Sequence, residues 1–229
     1  MNMFPSGRPS LSDRDAVART ALQHHFDSLE QQREASSLGM WVFLVTEIMF
    51  FGALFTAYVV YRTFYPAAFA DASSHLDITL GGVNTAVLIC SSLTMALAVR
   101  GAQVGNRKEL IIFLILTSLL GLAFLGIKSV EYADKFKHHL VPGSGFSYPS
   151  TDARQVQLFF SVYFAMTGLH ALHMIIGVGV LAVLLVKACR GAYTPEYHTP
   201  VEMSGLYWHF VDIVWIFLFP LLYLIGRHH

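Results

Sequence analysis

The first long apolar stretch of the chain reads MWVFLVTEIMFFG at residues 40–52, and Glu47 is its one charged side chain. No other charged residue occurs between Leu38 and Tyr61. An apolar run of this length predicts a membrane-spanning helix. If the span begins at Leu38, Glu47 lies about 14 Å along it, since an α-helix rises about 1.5 Å per residue. This depth is close to the bilayer centre, where a carboxyl group is costly and needs a partner or a function.

Four further stretches of the chain resemble this one, and each is long enough to cross a hydrocarbon layer of roughly 30 Å as a helix. The five predicted spans are 38–61, 80–99, 109–133, 156–187 and 205–226. Hydrophobic residues make up 55% of the chain and charged residues only 13%, whereas soluble domains have about 25% charged residues. We therefore predict an all-α, polytopic membrane protein built as a bundle of five transmembrane helices.

The sequence divides into a polar beginning, residues 1–37, and a membrane domain, residues 38–229. Ser12 is a suitable N-cap for an amphipathic segment, so we expect a cytoplasmic tail or a surface helix there. The first apolar run is too long for the apolar region of a signal peptide. We expect it to be retained as the first span.

The distribution of Lys and Arg predicts the orientation of the chain in the membrane. Nine of these residues fall in the N-terminal tail and in the second and fourth connections, and six fall on the opposite side. The excess predicts a cytoplasmic N-terminus and a C-terminus outside. The formal net charge is zero, which gives no indication of nucleic-acid binding.

Besides Glu47, ionisable residues in or beside the spans occur as three pairs: His170 and His173, His209 and Asp212, and Lys128 and Glu131. A spacing of three places both members of a pair on one helix face. We expect His209 and Asp212 to form a local pair, and Lys128 and Glu131 to form an ion pair at an interface. For Glu47 two readings stay open: a proton-linked or lipid-facing carboxyl, or a buried acid hydrogen-bonded to a neighbouring helix.

The three histidines also allow a metal or haem site, because imidazole is a common metal ligand. His170 and His173 fall near the centre of the predicted fourth span, whereas His209 lies about 6 Å from the start of the fifth. This difference in depth argues against a shared site and favours hydrogen bonds to neighbouring helices. We predict no metal site on the chain, and the sequence has no nucleophile–base motif or phosphate-binding loop.

Four stretches carry a resemblance to a known family. They are GMWVFL with EIMFF (residues 39–44 and 47–51), Asn84-Thr85, TGLHALHMIIG (167–177) and WHFVDIVWIF (208–217). In this order they resemble subunit III of the haem–copper terminal oxidases, in the shorter five-span form of bacteria. The similarity covers nearly all of the chain after about residue 36.

The resemblance implies an accessory subunit in the bacterial cytoplasmic membrane, within a complex that reduces O₂ to water and pumps protons. Members of this family bind no haem or copper themselves; these cofactors belong to partner subunits I and II. A small subunit IV or a respiratory supercomplex would be further partners. The resemblance implies support of assembly, of proton uptake and of the durability of subunit I. It also allows bound phospholipid, although the family's lipid cleft is bordered by two spans that this chain lacks.

Two alternatives remain at the level of sequence. One is a related subunit of a nitric oxide reductase. The other is a haem-b or metal-binding membrane electron carrier that uses His170, His173 and His209. The electron donor of the complex, cytochrome c or quinol, is left open.

Overall fold

A computed structural model describes residues 26–143, 145–149 and 152–224. The elements in order are α1 (Leu29–Phe64), α2 (Pro66–Ser74), α3 (Ile78–Gln103), α4 (Arg107–Lys137), α5 (Ala153–Cys189), α6 (Thr199–Phe219) and a π-helical turn (Pro220–Leu224). Within these residues, five helices are long and apolar enough to cross a membrane, α6 and the π-helical turn counting as one. The predicted all-α, five-span membrane protein is confirmed.

The helices extend beyond the predicted spans. The first begins nine residues earlier than predicted, at Leu29, and crosses residue 37 without a break. Three of the long helices begin at polar caps: the side chains of Ser28, Asp77 and Asn106 accept hydrogen bonds from backbone N–H groups of the first turn. The amphipathic segment predicted from Ser12 lies largely outside the described residues and stays a prediction.

The short helix α2 was not predicted. It follows Tyr65, whose backbone (φ −130°, ψ 58°) is non-helical, as expected for the residue before a proline. Pro66 then begins α2, because proline fits the first turn of a helix. Phe69 and Ala72 are buried, and α2 packs on α5. The connection between the first two spans is therefore ordered.

Helix α1 lies at the edge of the bundle and touches it along one narrow stripe. Its buried residues are Leu44, Phe51 and Tyr58, seven positions apart, a spacing that keeps one helix face on its neighbours. The stripe faces α5 and α6. Tyr58 donates a hydrogen bond of 2.8 Å to the carbonyl oxygen of Leu221 in the π-helical turn. The rest of the α1 surface carries exposed apolar side chains such as Trp41 and Met49.

The other four long helices meet around Trp208 of α6. Its ring lies against Gly121 of α4 and Gly177 of α5, where an added Cβ would come within 2.7 Å and 2.9 Å of ring carbons. Small residues allow such close approach between helices in membranes. The ring Nε1 donates a hydrogen bond of 3.0 Å to the hydroxyl of Ser91 on α3. One side chain thus joins four helices.

Because the five long helices alternate in direction, their ends form two sides. The near side holds the start of α1, α4 and α6 and the end of α3 and α5; the opposite ends form the far side. Hydrogen bonds between helix ends on the near side are consistent with this arrangement. Gln103 Nε2 of α3 donates to Glu202 Oε1 of α6 at 2.7 Å, and Arg107 Nε of α4 donates to the Ala188 carbonyl of α5 at 3.0 Å.

Candidate functional site

Glu47 and His173 form a direct contact between α1 and α5. The carboxyl Oε2 lies 3.1 Å from the ring Nε2, and the side chains are 19% and 11% exposed. Both residues lie about halfway along their helices. The rings of Phe51 and Tyr207 pack against the imidazole, with centroids 5.4 Å and 6.4 Å away. The contact provides the hydrogen bond to a neighbouring helix that one reading of Glu47 expects, and the proton-linked role stays a prediction.

The hydrogen bonds of His173 fix the number of protons that this pair shares. Its Nδ1 lies 2.9 Å from the carbonyl oxygen of Leu169, and a carbonyl only accepts, so Nδ1 must carry a hydrogen. The contact with Glu47 then requires one proton between Nε2 and Oε2. The pair is either a carboxylic acid with a neutral imidazole or a carboxylate with an imidazolium. Both forms have zero net charge, which suits a site inside a membrane.

His170 is one helical turn away from His173 but lies in different surroundings. It is fully buried, and neither ring nitrogen has a hydrogen bond within the described part of the chain. Its ring lies between Trp215 and Phe124, with centroids 5.2 Å and 5.3 Å away. The expected hydrogen bond to a neighbouring helix is therefore formed by His173 and not by His170.

The predicted local pair of His209 and Asp212 is not formed. The Nδ1 of His209 lies 2.7 Å from the hydroxyl of Ser92 on α3. Asp212 is 2% exposed, and neither of its carboxyl oxygens has a hydrogen bond among the described residues. Ser92 also faces this carboxyl. The two α6 side chains therefore meet at Ser92 rather than at each other.

The predicted depth of His209 was also wrong. Helix α6 begins at Thr199, six residues before the predicted span, so His209 lies about 15 Å from its start rather than 6 Å. His209 is at a depth similar to that of His173, because Tyr207, two residues earlier, donates a hydrogen bond of 2.9 Å to the His173 carbonyl. The two histidines form separate contacts because His209 bonds Ser92, whereas His173 bonds Glu47.

Lys128 and Glu131 form an internal ion pair, which corrects the prediction of a pair at an interface. The Nζ and Oε2 atoms are 2.9 Å apart, and the side chains are 3% and 2% exposed. Tyr163 and Tyr223 donate to the other carboxyl oxygen at 2.8 Å and 2.5 Å, and Lys128 donates to both phenol oxygens. Lys128 also lies 5.0 Å from the ring centroid of Trp215. This network joins α4, α5 and the π-helical turn, so its role is within the subunit.

A second polar cluster surrounds Glu202 at the near side and was missed in the sequence. Its carboxylate accepts from Gln103 at 2.7 Å, lies 3.1 Å from the Nε2 of His198 and forms a salt bridge with Arg33 at 3.4 Å. Within this cluster only His198 and Glu202 are one helical turn apart in sequence. Arg33 of α1 and Gln103 of α3 are distant in sequence, so their contacts with Glu202 could not be predicted.

An apolar cleft of about 720 Å³ separates α1 from α6. Aliphatic and aromatic side chains line it, among them Trp41, Phe55 and Phe217, and His209 is a polar residue at its wall. Such a surface fits hydrocarbon, either an acyl chain or an apolar helix.

The described residues contain no group of three or more His, Cys, Asp or Glu side chains that could hold a metal ion. The three histidines of the electron-carrier alternative do not converge, since each has a different environment. The ionisable residues instead form separate polar contacts between helices.

Comparison with known proteins places these features in a family. The profile of cytochrome c oxidase subunit III matches residues 11–227. The chain belongs to the cytochrome c oxidase subunit III family. It is 32% identical over 201 residues to quinol oxidase subunit 3 of Bacillus subtilis, covering 86% of this chain and 92% of that protein.

Two further subunit III relatives show the range of the family. Cytochrome c oxidase subunit 3 of Alkalihalophilus pseudofirmus is 34% identical, with 82% and 86% of the two chains covered. Cytochrome bo(3) ubiquinol oxidase subunit 3 of Pseudomonas aeruginosa is 32% identical, with 89% and 91% covered. The names of these relatives include both quinol oxidases and a cytochrome c oxidase. Subunit III is an accessory subunit, and family membership implies a complex with other oxidase subunits in the membrane.

Proposed function

We propose that this chain supports the assembly, proton uptake and durability of a respiratory haem–copper oxidase that reduces O₂ to water and pumps protons. The observation that carries the proposal is the Glu47–His173 pair. It holds one shared proton near the membrane centre, on a helix whose outer surface has little contact with its own bundle. A polar pair in such a place is costly unless it has a role.

The exposed surface of α1 is the proposed contact with subunit I. Its outward side chains are large and apolar, including Met49 and Phe50, and Met and Phe are enriched in the buried parts of interfaces. Subunit II would join the same complex, and a small subunit IV or a supercomplex is a further proposed partner. The haems and copper of the reaction would belong to these partners.

The setting we propose is the bacterial cytoplasmic membrane, with the near side facing the cytoplasm and the far side facing outward. We also propose residues 1–37 as a surface segment that continues, from Leu29 onward, directly into the first helix of the membrane domain 38–229. The apolar cleft between α1 and α6 would hold a phospholipid acyl chain, with its head group at a membrane surface.

Purification of the complex through a tag on this chain tests the proposed role. In mild detergent we expect a haem-bearing subunit I to copurify with it, and the separated chain to contain no stoichiometric haem, copper or iron. A tagged chain that purifies alone and shows a haem spectrum would instead establish the electron-carrier alternative.

Substitution of Glu47 tests the site. Gln at this position can donate its amide hydrogen to Nε2 of His173, so Glu47→Gln keeps the contact but cannot titrate, whereas Glu47→Ala loses both. If Glu47 is proton-linked, both variants change the pH dependence of oxygen reduction at normal haem content. If its role is structural, Glu47→Gln matches the parent and Glu47→Ala loses subunit retention. Thr46→Val, which changes an adjacent exposed residue, is the matched control.

A further inference from the structure

The seam between α3 and α6 contains two neighbouring cavities, which extend from the near side to about halfway along the helices. Both are open on the outer surface of the bundle, where Ala96 and Leu93 are exposed. The outer one, about 340 Å³, is lined by Glu202, Met203 and Gly205 of α6 and by Val99 of α3. The inner one, about 290 Å³, is lined by Ser92 and Leu93 of α3 and by Asp212 and Ile213 of α6. Ala96 and His209 line both cavities, so these two residues mark the point at which they meet.

Polar groups occur at both ends of this seam and at its middle. Glu202 stands at the near side, within its cluster with Arg33, His198 and Gln103. The contact of His209 with Ser92 stands where the cavities meet. Asp212 lies about 15 Å farther along α6 than Glu202, because ten residues separate them. The seam thus leads from a charged surface cluster to a carboxyl group at the centre.

The carboxyl of Asp212 is the unusual member of this series. It is 2% exposed and has no hydrogen bond among the described residues, and it lines the inner cavity. Ser92, the hydroxyl that faces this carboxyl, already bonds His209, and a buried carboxyl without further hydrogen bonds is costly in an apolar medium. Bound water can supply the missing hydrogen bonds where a cavity offers two to four polar groups and a volume of more than about 15 Å³. The inner cavity exceeds this volume and presents a carboxyl, a hydroxyl and an imidazole among otherwise apolar lining residues.

We propose that the α3–α6 seam is a dead-ended water path that carries protons between the near-side surface at Glu202 and the carboxyl of Asp212. Water enters through the outer cavity, passes Ala96 and His209, and hydrogen-bonds with Ser92 and Asp212 in the inner one. A proton taken up from surface water binds the carboxylate of Asp212 and returns by the same route. This path is separate from the Glu47–His173 pair, which lies between α1 and α5, and it does not depend on the accessory role proposed above.

Cysteine labelling of the full chain in its membrane complex tests whether water reaches the seam. A thiol must ionise to react with a water-soluble maleimide, so a cysteine in hydrocarbon stays unlabelled. The background variant replaces the two exposed cysteines, Cys90 and Cys189, by Ala. Ala96→Cys and Met203→Cys should then be labelled from the aqueous phase. Ile115→Cys, at matching depth on the exposed apolar face of α4, is the control and should not be labelled.

The carboxyl itself is tested by infrared spectroscopy during transfer of the complex to D₂O. The Asp212 band, assigned by its loss in Asp212→Asn, should shift at once in the parent and in Ala96→Ser. Ala96→Phe fills the point at which the cavities meet, so the shift should become slow. Unlabelled seam cysteines would overturn the proposal and indicate an acyl chain in the seam. Equally fast exchange in Ala96→Phe would also overturn it. If Asp212→Asn fails to accumulate, the labelling result decides.

Discussion

Replacing Glu131 by Gln should strongly destabilise the protein, because the carboxylate compensates the buried charge of Lys128. Glu131 accepts hydrogen bonds from Lys128 at 2.9 Å, from Tyr163 at 2.8 Å and from Tyr223 at 2.5 Å. Gln keeps the size and one acceptor oxygen but removes the negative charge. Breaking a buried ion pair by removing one partner costs about 3–5 kcal/mol. We expect a loss of this order in the free energy of unfolding.

The double variant Lys128→Met with Glu131→Gln should destabilise the protein by clearly less than the sum of the two single variants. Both charges are then absent, and the Gln oxygen still accepts from the tyrosine hydroxyls. A coupling energy of about 2–3 kcal/mol between the two sites is expected, at the upper end of values for residues in contact. Ser129→Ala is the control, because Ser129 is exposed and bonds to the Leu125 carbonyl of its own helix.

Reversible unfolding by SDS in mixed micelles, followed by tryptophan fluorescence, measures these free energies. The reasoning fails if Glu131→Gln costs less than about 1 kcal/mol, since this is ordinary for a single neutral hydrogen bond. It also fails if the two single variants add with a coupling below about 0.5 kcal/mol, as distant sites do.

Three further predictions concern topology, cofactors and the far-side loop. Single cysteines at Ser6 and Ser147 should react with impermeant thiol reagents from opposite sides of the membrane, and labelling of both from one side would refute the five-span topology. Metal analysis and optical spectra of the separated chain should give no stoichiometric haem, copper or iron, so one tightly held ion per chain would contradict the account. Burial, together with a 2.6 Å hydrogen bond to the charged Asp71, raises the pKa of Tyr148 above its usual 10, so the phenol stays neutral to higher pH in the folded state. The alkaline absorbance difference between the parent and Tyr148→Phe should therefore appear only above pH 10, and its appearance below that value would contradict the contact.

The sequence was sufficient for the spans because hydrocarbon imposes helices and minimum lengths on any apolar run. It was less reliable for their ends. The fifth span was predicted to begin six residues late, since Thr199 and Glu202 are polar but still helical. The displaced start led to the wrong depth for His209. Polar residues at the ends of helices carry no hydropathy signal.

The contacts of the ionisable residues were harder to predict from the sequence than the spans. A spacing of three correctly joined Lys128 to Glu131, because both lie on α4. The same rule failed for His209, which meets Ser92 at a distance of 117 residues in sequence. Glu47 and His173 are 126 residues apart, so their contact depends on how α1 and α5 pack. Local spacing limits which groups share a face, but only tertiary packing decides which groups meet.

We expect this chain to support proton uptake during oxygen reduction and to carry no electrons. The most direct measurement compares the complete oxidase complex with one depleted of this subunit, following haem oxidation and proton uptake in the same stopped-flow experiment. We predict unchanged haem content and unchanged initial haem oxidation, with slower proton uptake and faster loss of activity during turnover. Depletion that removes a haem signal or blocks the first electron transfer, with proton uptake otherwise normal, would contradict the account.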